Sequence, residues 1–136
     1  MVKKVIQQMI NNGIEIKKST VGLMGITFKE NCPDFRNSKI IDVFNELKRW
    51  GASVIVVDPW VDQLKLQEKH QIKLGKIDKD NKVDSLIVAV GHNQFRSLSP
   101  KELRSFCNGS KPVIGDVKSI YNKEELIKED FSVFRL

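Results

Sequence analysis

Two cationic residues follow a short apolar run near the start of the chain and are the first candidates for binding chemistry. The run is Val21–Met24; Lys29 comes after it, directly behind Phe28, and Arg36 follows seven residues later. An ammonium group and a planar guanidinium both suit anions such as phosphate. Ligands of open α/β sheets collect beyond the carboxyl ends of strands. The pattern therefore predicts an anion site with both cations facing one cleft, the alternative being two solvated surface side chains.

Two glycines in the same region resemble part of a dinucleotide-binding motif. Gly22 and Gly25 form G-x-x-G after the apolar run. The full fingerprint requires G-x-G-x-x-G opening directly into a helix, with an acidic residue about 20 positions on. Here a loop of more than ten residues intervenes and Asp58 lies too far along the chain. We therefore reject an independent NAD site and expect these glycines to permit close packing.

The remaining reactive residue types favour structural roles. Cys32 and Cys107 have no metal-ligand spacing and form no disulfide framework, and no histidine adjoins Cys32 in sequence to activate it. His92 follows an apolar run, where an imidazole could serve in acid–base chemistry; the alternative of a structural turn is what the family resemblance described below implies for G-H-N-Q-F. Asp58-Pro59 is typical of a turn that ends a strand. We expect none of these residues to be catalytic and no metal to bind.

The elements that would position these residues can be predicted from hydrophobic periodicity. We expect strands over Thr20–Met24, Ser53–Asp58, Ile72–Leu74, Ser85–Val90, Pro112–Asp116 and Phe131–Leu136. We expect helices over Val2–Ile10, Ser38–Trp50 and Ser99–Phe106, a short one around Val61–Leu66, and one capped by Asn122. Strands that alternate with helices predict an α/β fold, an open doubly wound and mostly parallel sheet of about six strands with helices on both faces.

Composition limits the classes of function. At 136 residues, with 40% hydrophobic and 29% charged residues, the chain fits one globular domain. It has no apolar run near the roughly 20 residues of a membrane helix and no signal peptide, so we expect a cytoplasmic protein without membrane contact. The net charge is +6, but the lysines are scattered among acidic residues and form no arginine-rich strip. We therefore expect no nucleic-acid partner and a modest preference for anionic ligands.

Two stretches carry a resemblance to a known family. They read G-L-M-G-I-T-F-K-E-N-C-P-D-F-R-N-S and W-G-A-S-V-I-V-V-D-P-W. They resemble the C-terminal domain of the UDP-glucose/GDP-mannose dehydrogenase family, with F-K, D-x-R-x-S and D-P in the expected order. The N-C-P-D segment resembles the branch that oxidises UDP-N-acetylhexosamines for surface polysaccharides such as capsules. The resemblance extends over nearly the whole chain.

The resemblance assigns roles to individual residues. It implies that Phe28 and Lys29 contact a nucleotide-sugar, and that Arg36 contacts NAD bound mainly by another domain. Lys118 falls where many family members place a substrate-contacting arginine; lysine keeps the charge but loses the bidentate fork. Asp34 either braces Arg36 or caps the loop. The family's nucleophilic cysteine belongs to an F-G-G-x-C motif that is absent from this chain.

The resemblance also implies a whole enzyme. Residues 1–18 would be the end of a linker helix from a central domain, although an ordinary packing helix fits the pattern equally well, and residues 19–136 would bind the UDP-sugar. The enzyme would be a homo-oligomer that oxidises the C6 alcohol of UDP-N-acetylglucosamine or UDP-N-acetylgalactosamine to a carboxylate with two NAD. UDP-glucose or GDP-mannose is the alternative substrate, and a stand-alone nucleotide-binding or interaction module is the alternative function. We expect the isolated chain to be inactive.

Overall fold

Five parallel strands form one sheet in the computed structural model, which describes residues 1–136. The strands are β1 Thr20–Met24, β2 Ser53–Val57, β3 Ser85–Val88, β4 Val113–Asp116 and β5 Ser132–Arg135. Their order in the sheet is β2-β1-β3-β4-β5, and every neighbouring pair is parallel. The α/β class and the parallel sheet are therefore confirmed.

Six helices and one 3₁₀ turn cover the sheet. They are α1 Val2–Asn11, the 3₁₀ turn Ile16–Lys18, α2 Ile40–Arg49, α3 Gln63–His70, α4 Asn93–Arg96, α5 Pro100–Ser105 and α6 Lys123–Lys128. Local chemistry sets several of their ends: Ser99 and Glu102 form a reciprocal capping box on α5, and Asn122 caps α6. None of the helices is both long and apolar enough to cross a bilayer.

The sheet is buried on both faces, as its continuous apolar strands require. One apolar cluster lies under α1 and α2, where Val5, Ile6 and Met9 of α1 are fully buried. The other lies under α5 and α6, with Leu103 and Leu126 at its centre. The first helix is thus an integral part of the core, packed chiefly against β4.

The strand order creates a crevice at one place in the sheet. The chain passes from β1 to β2 on one side and then crosses to β3 on the other side of β1. The connections after β1 and β3 therefore diverge, and a crevice opens beyond the carboxyl ends of these strands. Because β1 lies inside the sheet rather than at its edge, the loop after β1 borders this crevice.

The predicted number of strands is wrong by one. Ile72–Leu74 is not a strand: Ile72 is buried in the core, and Leu74 forms only an isolated parallel bridge with Val56. The Gly75 N–H donates to the Val56 carbonyl at 2.8 Å, after which the segment leaves the sheet. The alternation of apolar residues in this segment therefore reflects the burial of Ile72 and the partial burial of Leu74 beside β2, and the segment is not a sixth strand. The short helix α4 was not predicted, because four residues show no periodicity.

Candidate functional site

A cavity of about 510 Å³ lies at the crevice between β1 and β3. Its lining brings together Phe28 and Lys29 from the loop after β1 with Lys118 from the loop after β4. These three residues were singled out from sequence, and the fold places them around one space although about 90 residues separate the two loops. The Phe28 side chain is 59% exposed and offers an apolar ring at the cavity wall.

Arg36 does not face this cavity, so the expectation of one cleft shared with Lys29 is wrong. It lines a neighbouring cavity of about 590 Å³, between the loop after β1 and α3, together with Lys65 and Lys69. The loop itself explains the separation. The Phe28 N–H donates to the Asp34 carbonyl at 2.8 Å, and Phe35, next to Arg36, is buried in the core. These anchored residues separate the cavity that Lys29 lines from the cavity that Arg36 lines.

Asp34 both braces Arg36 and shapes the turn. Its carboxylate accepts from Arg36 Nε at 3.0 Å and from Arg36 Nη2 at 2.9 Å, a bidentate pair, and also from the Arg36 backbone N–H at 2.8 Å. The side-chain hydrogen bonds from Arg36, followed by its backbone N–H, lower the pKa of Asp34 to about 2. The two interpretations of Asp34 that the sequence left open therefore both apply.

The start of the ligand loop, residues 25–39, is fixed to the end of β1. Gly25 has φ +99°, and a Cβ there would lie 2.7 Å from the Cβ of Val90, so this position requires glycine. Ser38 Oγ donates to the Ile26 carbonyl at 2.8 Å, and Thr27 Oγ1 donates to the Lys29 carbonyl at 3.0 Å. These bonds fix the backbone on both sides of Phe28 and at Lys29, two of the residues that line the cavity. Gly22 likewise permits close packing, as predicted, because a Cβ would lie 2.6 Å from Ile77 Cδ1.

A buried histidine connects the ligand loop to the carboxyl ends of β2 and β3. His92 is fully buried just after β3, and its Nδ1 accepts the Asn31 backbone N–H at 2.9 Å. An acceptor nitrogen carries no proton, so the proton of the neutral ring is assigned to Nε2. Nε2 lies 3.0 Å from Asp58 Oδ2 and 3.2 Å from Thr27 Oγ1. His92 therefore positions the loop and has no access to a reacting group.

Asp58 completes this connection from the end of β2. Oδ2 accepts the Ile26 N–H at 2.8 Å, while Oδ1 accepts the N–H groups of Trp60 at 2.8 Å and Val61 at 3.0 Å. Burial by itself raises the pKa of Asp58, but the hydrogen bonds from His92, Ile26 and Trp60 outweigh burial and hold the pKa below its ordinary value. The sequence predicted a turn that ends the strand at Asp58. The hydrogen bonds of Asp58 with Ile26 and His92 could not be predicted from the sequence.

The loop that carries Lys118 has its own buried carboxylate. Asp116 accepts the N–H groups of Ile120 and Tyr121, each at 3.0 Å. The Tyr121 hydroxyl donates to the Phe95 carbonyl at 2.7 Å, and burial raises its pKa. These contacts join the loop after β4 to α4, next to the cavity, and thereby fix the backbone of the loop that carries Lys118.

Three charged residues of the cavity were missed from sequence. Arg96, Lys39 and Glu30 line it together with Lys29 and Lys118. Arg96 Nε donates to the Gly91 carbonyl at 3.0 Å, and Nη2 donates to Glu30 Oε2 at 3.1 Å. Arg96 lies at the end of α4, six residues after Val90, the last residue of the predicted strand Ser85–Val90, and its position in the sequence does not show that this strand lies next to β1.

The cysteines have structural surroundings. Cys107 is buried, and desolvation raises the pKa of its thiol to about 12, so it is protonated at neutral pH. Cys32 is half-buried in the ligand loop, unpaired with Cys107. No group of three histidine, cysteine or acidic side chains is arranged to hold a metal ion.

Comparison with known proteins establishes the family. Residues 22–123 match the model of the UDP-glucose/GDP-mannose dehydrogenase family, UDP binding domain. The chain belongs to this family. The matched residues include both cavity loops and the buried residues that fix them, so the crevice at β1 and β3 lies within the UDP binding domain. The resemblance stated from the two sequence stretches is thereby confirmed.

Individual relatives show what fraction of a family member's length this chain covers. The chain is 39% identical over 123 residues to a UDP-N-acetyl-D-glucosamine 6-dehydrogenase from Salmonella typhi, covering 90% of this chain and 29% of that protein. It is 32% identical to Protein CapL from Staphylococcus aureus, covering 93% of this chain and 29% of that protein. A solved NDP-N-acetyl-D-galactosaminuronic acid dehydrogenase from Methanosarcina mazei Go1 shares the fold, with a TM-score of 0.86 at 21% identity, over 98% of this chain and 28% of that one. The chain thus spans less than a third of these relatives.

Proposed function

We propose that the chain is the nucleotide-sugar-binding part of an NAD-dependent UDP-N-acetylhexosamine 6-dehydrogenase of surface polysaccharide synthesis. Relatives named UDP-N-acetyl-D-glucosamine 6-dehydrogenase, at 39% and 31% identity, support this choice of substrate. A UDP-glucose 6-dehydrogenase from Rhizobium meliloti at 31% identity supports UDP-glucose as the second candidate, ahead of GDP-mannose. The intact protein would be a cytoplasmic homo-oligomer, with residues 1–18 continuing from a central domain.

The observation that carries the proposal is the charge and position of the cavity at the crevice. Lys29 and Lys118 approach it from two loops, and Lys39 and Arg96 add two further cations. A diphosphate carries at least two negative charges, which these side chains can neutralise by charge-assisted hydrogen bonds. Phe28 supplies an exposed apolar face for the base or sugar. The chain's contribution to catalysis is then to bind and orient the nucleotide-sugar.

Arg36 is proposed to reach an NAD held mainly by another domain. Three cations line its cavity, but Asp34, Asp62 and Glu68 balance them, and the dinucleotide fingerprint is absent from the chain. These residues do not form a cofactor site by themselves. They fit a single contact, because Asp34 accepts from Nε and Nη2 of Arg36 and leaves Nη1 free, on a side chain that is 76% exposed.

Substitution of the two cavity lysines tests the proposal. We expect UDP and UDP-N-acetylglucosamine to bind the wild-type chain weakly, because the remainder of the relatives' length is absent. Lys29→Met and Lys118→Met should each weaken UDP binding about tenfold or more, since each removes a charged donor to phosphate. Isothermal titration calorimetry at fixed ionic strength measures the dissociation constants.

A distant lysine provides the matched control. Lys101 is exposed on α5, outside this cavity, so Lys101→Met makes the same change of charge and should leave UDP affinity unaltered. Equal losses in all three variants would contradict a specific site. Tight binding of UDP by the wild-type chain would favour the stand-alone nucleotide-binding module instead. Steeply salt-dependent retention of DNA or RNA would favour a nucleic-acid partner.

A further inference from the structure

The cavity contains one ion pair among its lining residues, between Arg96 and Glu30. Arg96 Nη2 and Glu30 Oε2 are 3.1 Å apart, and both side chains are about half exposed, 47% and 55%. Glu30 is the only acidic residue among the residues that line this cavity. Its carboxylate therefore occupies, on Arg96, the kind of position that a phosphate oxygen would take.

The arginine is held in place independently of Glu30. Arg96 Nε donates to the Gly91 carbonyl at 3.0 Å, which fixes one edge of the planar guanidinium. Gly91 also leaves the room that the pair needs, because a Cβ there would lie 2.8 Å from Arg96 Nη2 and 3.2 Å from Glu30 Oε2. If Glu30 moved away, Arg96 would still present its terminal nitrogens to the cavity.

We propose that Arg96 is a phosphate-binding residue of this site and that Glu30 is its internal competitor. In the free chain Glu30 masks Arg96; a nucleoside diphosphate displaces the carboxylate and takes its hydrogen bond. The inference rests on the proposed nucleotide-sugar site. Displacement is inexpensive because a half-exposed ion pair contributes little to stability, and the released Glu30 returns to solvent. The pair would favour ligands with enough negative charge to compete, such as a diphosphate over a neutral sugar.

Neutralising Glu30 should strengthen ligand binding. In the isolated chain, Glu30→Gln should lower the dissociation constant of UDP about threefold to tenfold, because the competing charge is removed from the cavity. Glu15→Gln is the matched control: Glu15 also forms an exposed pair, with Lys18 at 3.5 Å, but lies outside the cavity. It makes the same change of net charge and should leave the dissociation constant unaltered. Weaker UDP binding by Glu30→Gln would overturn the proposal, since it would mean that the pair serves to fix the loop.

A double-mutant cycle separates masking from a general charge effect. Arg96→Met should weaken UDP binding about tenfold, while Arg49→Met, an exposed arginine at the end of α2, should not. In the Arg96→Met background, Glu30→Gln should lose most of its gain. A gain of the same size in both backgrounds would overturn masking, because Glu30 would then act on the ligand without Arg96.

The lysine variants keep the two proposals distinguishable. If Lys29→Met weakens UDP binding and Arg96→Met does not, the nucleotide-sugar site stands and the role of Arg96 is wrong. If neither substitution changes UDP binding, the site itself is wrong. Thermal unfolding of each variant shows whether a change in affinity comes from loss of folded protein.

Discussion

Asp58 has the most extensive set of hydrogen bonds of any carboxylate at the candidate site. It accepts three backbone N–H groups, from Ile26, Trp60 and Val61, and lies 3.0 Å from the ring of His92. All these contacts favour the ionised form and together outweigh the cost of burial, so the pKa lies below the ordinary value of 3.8. Stability that depends on this carboxylate is therefore present above pH 3.8 and is lost as the pH falls through the folded-state pKa.

Asp58→Asn should expose this contribution. At neutral pH we expect the free energy of unfolding to fall by about 1–3 kcal/mol, because a neutral amide replaces an ionised acceptor of several buried hydrogen bonds. The difference from wild type should shrink as the pH falls from 3.8 through the lower folded-state pKa, because the wild-type carboxylate then also becomes protonated in the folded chain. Urea unfolding at a series of pH values measures it.

The control for this experiment is Asp80→Asn. Asp80 is exposed in the loop before β3, and no hydrogen bond is made by its side chain, so the substitution should leave the free energy of unfolding nearly unchanged at every pH. A constant difference between wild type and Asp58→Asn down to pH 2 would contradict the assignment, since it would show that the charge of Asp58 is not involved.

At the residue scale, the sequence predicted types of contact better than directions. Asp34 and Arg36, two positions apart, form the charge-assisted pair that was one of the two interpretations left open by the sequence, because so short a segment brings the two side chains together locally. Lys29 and Arg36 do not share a cleft, because their directions depend on the hydrogen bond from Phe28 to Asp34 and on the burial of Phe35. Spacing along a loop does not encode either of these.

The turn after β1 depends on a glycine for two separate reasons. Gly25 adopts φ +99°, which side chains rarely accept, and a Cβ there would lie 2.7 Å from Val90 Cβ and 3.0 Å from Val90 N. Gly25→Ala should lower the free energy of unfolding by about 2–4 kcal/mol, from backbone strain plus the clash. Chemical denaturation measures this loss.

Gly109→Ala separates the two causes. Gly109 also has a left-handed φ, +80°, but nothing lies within 4 Å of the position of its Cβ. We expect a loss of about 1 kcal/mol, from strain alone. If both variants lost the same free energy, contact with Val90 would have no energetic role. A loss of UDP affinity in Gly25→Ala beyond the loss of folded protein would show that this turn also positions Phe28 and Lys29.

Most elements were predictable from the sequence, and the misses among the strands and α-helices are the short segments Ile72–Leu74 and α4. Thr20–Met24 is a strand as predicted, because a buried apolar run between helices has few alternatives in an α/β fold. Ile72–Leu74 has a strand-like alternation, yet its backbone meets β2 at a single bridge. Whether a three-residue segment continues as a strand depends on the path of the chain that follows it, and here the chain leaves the sheet after Gly75.

The candidate site is a product of the whole fold. Its cations come from the loops after β1 and β4 and from α4, which follows β3; these three strands are neighbours in the sheet but distant in sequence. Strand order therefore had to be known before Arg96 could be placed beside Lys29. The resemblance to the family indicated Lys118 in advance, but nothing in the sequence connected Arg96 or Glu30 to the same cavity.

The isolated chain should bind ligand without turning it over. It contains neither the dinucleotide fingerprint nor the F-G-G-x-C motif and spans 29% of its Salmonella typhi relative. We therefore expect no formation of NADH when the chain is mixed with NAD and UDP-N-acetylglucosamine under conditions in which calorimetry detects UDP binding. Absorbance of NADH measures the reaction, and an active full-length relative is the positive control. Any turnover that persists in the purified chain would contradict the division of labour proposed here.

The contact between Asp58 and His92 has a consequence for protein engineering. These residues follow β2 and β3, which flank β1 and are not paired with each other, so their bond spans the end of β1. The ligand loop is attached to both residues, through Ile26 and Asn31. A chimaera that takes its loop after β1 from one parent should therefore inherit this carboxylate and imidazole from the same parent, although neither of them lines the cavity between β1 and β3.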